Sequence, residues 1–236
     1  MGIYVTGDLH ANLDRFNEST MPGEATWTDK DVLIITGDFN FVFHGEDHYP
    51  LEKWKLNELA KKPYQIAWID GNHEGFDYLP NYPEGLRYGA PVHIIRPNIF
   101  HLQRGYVYTI QNRRVFTFGG AASTDKAYRL DYEKIFGEKI WFSQELPCRE
   151  EYLRGLTTLK EHNYQVDYIL SHTAPRTFLS QFRKGILDAP DRQLTEYLEH
   201  IYNMVTFRNW FFGHFHEDRQ LNTQMIACYK NVHHLK

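Results

Sequence analysis

The stretch Gln65-Ile66-Ala67-Trp68-Ile69-Asp70-Gly71-Asn72-His73-Glu74 decides how the rest of the chain is read. Its first half is short and apolar, with β-branched and aromatic residues, as expected of a strand buried on both faces. It then turns polar through Gly71, a residue that permits a tight strand-to-loop turn and close approach of backbone to ligand. Upstream, Leu51–Lys62 places Leu51, Trp54, Leu56, Leu59 and Ala60 near one face of a helix that Pro63 stops. A helix feeding a buried strand that ends in candidate ligands is a repeating unit of α/β architecture.

The same kind of ending recurs along the chain. Ile3–Thr6 leads into Gly7-Asp8-Leu9-His10, and Val32–Thr36 leads into Gly37-Asp38. Val166–Leu170 leads into Ser171-His172, and Asn209–Phe212 into Gly213-His214-Phe215-His216. Helical rhythm fills Arg149–His162 and Arg192–Met204. Between Val92 and Phe118 the pattern changes to consecutive strands, Val92–Ile95, Ile99–Leu102, Tyr106–Ile110 and Val115–Phe118, the last two joined at Gln111-Asn112 as a hairpin. A terminal strand pair, Arg219–Asn222 and Met225–Tyr229, turns at Thr223-Gln224. The expected class is therefore α/β with two sheets. No repeat or Gly/Ser-rich linker divides the chain, so residues 1–236 read as a single domain.

Loops at the carboxyl ends of strands in an open α/β sheet converge on one crevice, where ligand sites assemble. The endings above would gather Asp8, His10, Asp38, Asn72, His172, His214 and His216 there. Oxygen donors mixed with imidazole suit divalent manganese, iron or zinc, and the lack of thiolate argues against a structural zinc site. Given 13 His in 236 residues, Asp-x-His is expected roughly once by chance, but Gly-His-x-His only roughly 0.05 times and Gly-Asn-His-Glu roughly 0.003 times. Coincidence does not account for all of them in order.

These motifs resemble the calcineurin-like metallophosphoesterase superfamily, whose pattern runs Asp-x-His, Gly-Asp, Gly-Asn-His-Glu/Asp, a lone His, and Gly-His-x-His. The match spans positions 8 to 216. Gly119-Gly120-Ala121-Ala122-Ser123, Asp125-Lys126, Arg129, Trp141 and Glu145-Leu146-Pro147 are similar to a small bacterial and phage subgroup. The resemblance implies a four-layer α/β/β/α sandwich, two mixed β-sheets flanked by helices. It also implies two divalent metal ions, manganese or alternatively iron or zinc, bridged by Asp38. Asp8, His10 and His216 would complete one site, and Asn72, His172 and His214 the other. A hydroxide bridging the metals would attack phosphorus, a clamp suited to in-line displacement. His73 would be the general acid, with Glu74 orienting it or serving as a ligand.

One departure from the family is specific. In its protein Ser/Thr phosphatases, Gly-Asp is followed by x-x-Asp-Arg-Gly, whereas this chain continues Gly37-Asp38-Phe39-Asn40-Phe41-Val42-Phe43. The first motif also ends in Ala11 where Gly is frequent. Phosphate contacts must then come from elsewhere, and Asn40, Lys126, Arg129 and Arg176 are the candidates. Tyr128, Trp141 and the Phe39–Phe43 aromatics read as core or rim packing, with stacking on a base or aryl group as the alternative. His44 and His48 are placed at the mouth of the site. The remaining histidines, including His233-His234 at a frayed terminus, need no role.

Composition excludes several classes. The net charge of −4 creates no global field for nucleic acid or anionic membrane, so a small phosphorylated substrate is expected and no extended nucleic acid or membrane partner. Cys148 and Cys228, the only cysteines, read as small buried apolar residues and are too few for a disulfide scaffold. No apolar run approaches the ~18 residues of a membrane helix. The N-terminus enters a strand without a signal-peptide pattern, so a cytoplasmic location is expected. The leading reading is a hydrolase acting on a phosphomonoester or phosphodiester, as monomer or dimer. The alternatives are an inactive protein-interaction scaffold on the same fold and a nuclease or nucleotide phosphodiesterase.

Overall fold

Two mixed sheets carry the chain in the computed structural model, which describes residues 1–182 and 189–236. The first contains β1 (Ile3–Thr6), β2 (Val32–Ile35), β3 (Gln65–Trp68), β4 (Glu84–Arg87), β5 (Ala90–Arg96), β6 (Ile99–Leu102) and β13 (His233–Leu235), in the order β13-β1-β2-β3-β6-β5-β4. The second contains β7 (Tyr106–Ile110), β8 (Arg113–Phe118), β9 (Tyr168–Ser171), β10 (Asn209–Phe212), β11 (Arg219–Gln220) and β12 (Met225–Ala227), in the order β11-β12-β10-β9-β8-β7. Among the described residues the α-helices are α1 (Pro50–Ala60), α2 (Lys126–Phe136), α3 (Arg149–Glu161), α4 (Arg176–Leu179) and α5 (Arg192–Met204).

Alternation along buried strands sorts the side chains into layers. Val5, Ile34 and Ala67 from one sheet share a core with Val115, Leu170 and Phe211 from the other. Leu33, Ile35, Ile66 and Trp68 point the opposite way and pack with Leu56 and Leu59 of α1. Phe116, Ile169, Trp210 and Phe212 likewise meet Leu159 of α3 and Leu194, Leu198 and Ile201 of α5. The order is helix, sheet, sheet, helix, as expected. Each fully buried Leu or Ile on these faces contributes roughly 1.5–3 kcal/mol.

The strands that matter most for the site are parallel neighbours: β1, β2 and β3 in one sheet, and β9 and β10 in the other. Their carboxyl ends therefore lie side by side.

Several local expectations are corrected. Leu51 and Trp54 are exposed, whereas Leu56 and Leu59 are buried as expected and Glu52 joins them. The Glu52 carboxylate accepts the amides of Phe43 and His44, at 3.0 and 2.8 Å, which ties α1 to the loop after β2. Leu153 of α3 is exposed as well. The C-terminal residues do not fray: His233 and His234 lie in β13, which pairs antiparallel with β1 in the register Ile3↔Leu235. Cys228 is buried but Cys148 is exposed, ahead of α3. Strand β4 and helix α2 have no counterpart in the sequence reading. Gln111 and Asn112 form the expected hairpin, both with positive φ (48° and 61°), which matches the twist of the flanking strands. Among the described residues no helix is long and apolar enough to cross a membrane.

Candidate functional site

The strand-end loops bring the expected donors into two adjoining groups. Ligand atoms of Asp8, His10, Asp38 and His216 lie within 4.8 Å of one another. Within this group, Nε2 of His10 is 3.0 Å from Nε2 of His216 and 3.8 Å from Oδ2 of Asp38. The second group forms around the other oxygen of Asp38. Nε2 of His172 lies 3.4 Å from Asp38 Oδ1 and 3.0 Å from Asn72 Oδ1, while Nδ1 of His214 also lies 3.0 Å from Asn72 Oδ1. Asp38 thus stands between the groups with one oxygen toward each.

The backbone here is bent into conformations that side chains resist. His10 (φ 48°), Ala11 (53°), Asp38 (48°), Asn40 (57°), His214 (69°) and His216 (53°) are all left-handed. Each such non-glycine residue costs on the order of 1 kcal/mol, and strain of this kind collects where a ligand must be met. Two glycines make room. A Cβ on Gly37 would lie 2.1 Å from His172 Nδ1, and one on Gly71 would lie 2.1 Å from Asp38 Oδ1. The amides of Asn72 and His73 donate to Asp38 Oδ1 at 2.9 and 2.8 Å, and the His214 amide donates to both Asp8 oxygens at 3.1 Å.

Glu74 neither touches the His73 ring nor joins either donor group. Its carboxylate accepts the amides of Phe39 and Asn40, at 2.9 and 3.1 Å, and so holds the loop that carries Asp38. Burial, reinforced by Asp38, pushes its proton affinity well above that of an ordinary glutamate.

The donor set fits cations. Nδ1 of His172 donates to the Thr36 carbonyl at 2.7 Å, which leaves its Nε2 facing the oxygens of Asp38 and Asn72. The Asn72 amide nitrogen donates to Ser123 Oγ at 3.2 Å, so its oxygen turns inward. Ser123 is fixed in turn by Glu145, donating its hydroxyl to Oε2 at 2.5 Å and its amide to Oε1 at 3.1 Å. Lone pairs on Asn72 Oδ1, His172 Nε2 and Asp38 Oδ1 therefore converge, and only a proton or a metal cation between them relieves the repulsion. The electrostatics agree. Burial pushes the Asp8 carboxyl up, against the pull of His172. Burial also acts upward on Asp38, but the His172, His73 and His10 imidazoles outweigh it and hold that carboxyl below its ordinary range. At His172, burial is overcome by Asp38 and Asp8, which raise its proton affinity.

The His73 ring lies edge-on to that of His10, with centroids 5.1 Å apart, and borders the first donor group. Nη2 of Arg129 lies 2.7 Å from His73 Nε2 and also contacts Nδ1. Arg129 is almost fully buried, held by both Asp125 oxygens at 2.9 Å and by the Ile140 carbonyl at 2.9 Å. Burial lowers the His73 pKa to about 4, with Asp38 opposing and Arg129 adding to the drop. Asn40, His73, Arg129 and His44 line one cleft of about 480 Å³. His48 borders a different cavity. Lys126 places its ammonium 3.8 Å from the Trp141 ring centroid, and Arg176 pairs with Glu196 at 2.5 Å. Phe39, Phe41 and Phe43 are core residues, whereas Tyr128 is exposed beside the cleft.

Ser123 and Glu145 acquire a role that the motifs alone did not assign. Tyr229, which stacks on His216 at 4.7 Å, had no signal, because that contact depends on the turn of the terminal strands.

Residues 1–218 match the calcineurin-like phosphoesterase family. Lariat debranching enzyme A of Xenopus laevis is 29% identical over 191 residues, covering 75% of this chain and 34% of that protein. The lariat debranching enzyme of Homo sapiens is 25% identical over 246 residues, covering 92% of this chain and 42% of that protein. The chain therefore spans less than half the length of these relatives. A solved structure from Thermus thermophilus aligns with a TM-score of 0.48 at 14% identity, covering 95% of this chain and 87% of the other.

Proposed function

Since this chain belongs to the calcineurin-like phosphoesterase family, we propose that it is a metal-dependent hydrolase of a phosphomonoester or phosphodiester, acting as one domain over residues 1–236. Asp8, His10, Asp38 and His216 would hold one divalent ion, and Asp38, Asn72, His172 and His214 a second. When bound, such a pair activates water for attack at phosphorus and neutralises the charge of the phosphoryl oxygens. The observation that carries this reading is the placement of Asp38, one oxygen directed to each donor group. Manganese is the first choice, with iron or zinc next, on the mixed oxygen and imidazole donors.

The chain's own residues supply the rest. Asp38 ties the two donor groups together, and Gly71 keeps the following loop close enough for two amides to fix its oxygen. On this reading His73 would donate a ring N–H to the departing oxygen. Arg129 is close enough to that ring to hold both it and a non-bridging phosphate oxygen, with Asn40 at the same cleft. Lys126 and Arg176 are already engaged elsewhere and rank below Arg129 as phosphate contacts.

A scaffold without activity is disfavoured, because all the donors and His73 are kept together at the cost of a strained backbone. The nuclease reading gains weight from the lariat debranching enzymes among the relatives. A net charge of −4 still favours a short or small substrate over an extended duplex. With few cysteines and no disulfide among the described residues, a cytoplasmic setting remains part of this reading. The test is metal analysis of the purified chain together with hydrolysis of aryl phosphate monoesters and diesters under manganese. Turnover that depends on added metal supports the proposal; absence of both bound metal and turnover with any divalent ion sinks it.

A further inference from the structure

We infer that the cleft beside His73 is a nucleobase subsite, so that the ester hydrolysed belongs to a nucleotide; this rests on the phosphoesterase reading above. The cleft of about 480 Å³ lies in the size range of small-molecule sites. His73 and Arg129 line it, which joins it directly to the place where a phosphate would sit. Two separate segments contribute aromatic rings to it: the loop after β2 through Tyr49, and α2 through Tyr128 and Tyr132. Tyr128 is 65% exposed and Tyr49 43% exposed, while Phe39 and Phe41 nearby are buried in the core. Tyr132 packs on Phe136 at 4.5 Å and Tyr49 lies against His44 at 4.6 Å, but Tyr128 and Tyr49 keep much of their surface in water at the cleft. They offer π-faces to an incoming flat ring, and base–aromatic stacking is tolerant of sequence.

The polar groups distinguish a base from a plain aryl ring. Glu138 lines the same cleft, pairs with His44 Nδ1 at 2.9 Å and accepts the Tyr132 hydroxyl at 3.4 Å. Carboxylate and imidazole at this rim provide acceptors and donors for ring nitrogens and exocyclic amines, which a phenyl or alkyl group does not use. Asp125 and Glu138 also repel additional phosphates, so the cleft suits one nucleoside rather than a polyphosphate.

The test uses the full chain with manganese. kcat/KM is measured for adenosine 5′-monophosphate and its methyl diester, against glycerol phosphate and its methyl diester, with phenyl phosphate as the aryl control. The nucleotide esters are expected to be preferred by about tenfold, the scale of one stacked base. Tyr128→Ala should lower the nucleotide values about tenfold more than the glycerol values, and Tyr128→Phe should restore most of the difference. Equal losses for all esters, or a preference for phenyl phosphate over the nucleotide, would overturn the inference. Equilibrium dialysis with adenosine separates the two readings. If no ester is hydrolysed with any divalent ion, the phosphoesterase reading fails, and adenosine binding that is lost in Tyr128→Ala still identifies the subsite. Adenosine that binds neither protein removes the subsite even if hydrolysis is robust.

Discussion

Arg129, carried by α2, places Nη2 of its guanidinium 2.7 Å from Nε2 of His73, although 56 residues separate the two. Residues 39–43 after Asp38 contain neither an acid nor an arginine; α2 brings the arginine, and Asp125 just ahead of it grips Arg129 through two bonds of 2.9 Å. A buried guanidinium at the proposed leaving-group side is placed to stabilise charge that grows in the transition state. Arg129→Ala should therefore lower kcat/KM for an aryl phosphate by roughly 100-fold, the usual scale for loss of one such donor. Asp38→Ala should leave no measurable turnover, because both donor groups depend on it. Steady-state kinetics of the two variants checks the order, and an Arg129→Ala enzyme of full activity contradicts it.

The relay from Glu145 through Ser123 to Asn72 leads to a prediction about metal rather than rate. Ser123→Ala frees the Asn72 amide to rotate, so its oxygen is no longer held toward His172 and His214. Loss of such an outer partner typically weakens metal affinity roughly 10–100-fold. One of two manganese equivalents should weaken in a calorimetric titration while the other, held by Asp8, His10 and His216, stays near its original affinity. Equal weakening of both, or of neither, would count against the relay.

What the sequence made legible was local. Asp8 with His10, Asn72 with His73 and Glu74, and His214 with His216 each sit within a few residues on one strand-end loop, so spacing alone marks them. The buried strands were readable for the same reason, since Leu33 and Ile35 serve one core and Val32 and Ile34 the other. Helix α2 was not, because periodicity reports a buried face and its Tyr128, Ile135 and Phe136 are exposed. Strand β13 is equally silent: His233–Leu235 becomes a strand only by pairing with β1 from the far end of the chain. The Arg129–His73 contact follows from where α2 lands, which no motif encodes.

Ala11 has a φ of 53°, a conformation in which a Cβ is strained by about 1–2 kcal/mol. Glycine at this position relieves that strain while losing about 0.5–1 kcal/mol of unfolded-state entropy. Ala11→Gly should thus stabilise the chain by about 0.5–1 kcal/mol and raise Tm by about 1–2 °C, keeping the bond from the residue 11 amide to the Phe39 carbonyl. Scanning calorimetry of the metal-free proteins measures it, and a lower Tm would show that the Cβ contributes more by packing than it costs in strain.

A pH dependence is built in away from the candidate metal groups. His93 stacks on His101 with ring centroids 5.3 Å apart, and its side chain is only 13% exposed. Burial first, and then His101, lowers its pKa from 6.5 to about 4, against the opposing pull of Glu84 and Asp70. Between those values the unfolded chain binds a proton that the folded chain refuses. This group's contribution is therefore complete above about pH 6.5, is lost as pH falls toward about 4, and changes no further below that. The slope attributable to it is at most about 1.4 kcal/mol per pH unit. Urea midpoints taken from pH 7 to 4.5 should fall in the native protein and fall less steeply in His93→Gln, which cannot titrate. Parallel curves for the two proteins would mean that other groups carry the acid sensitivity.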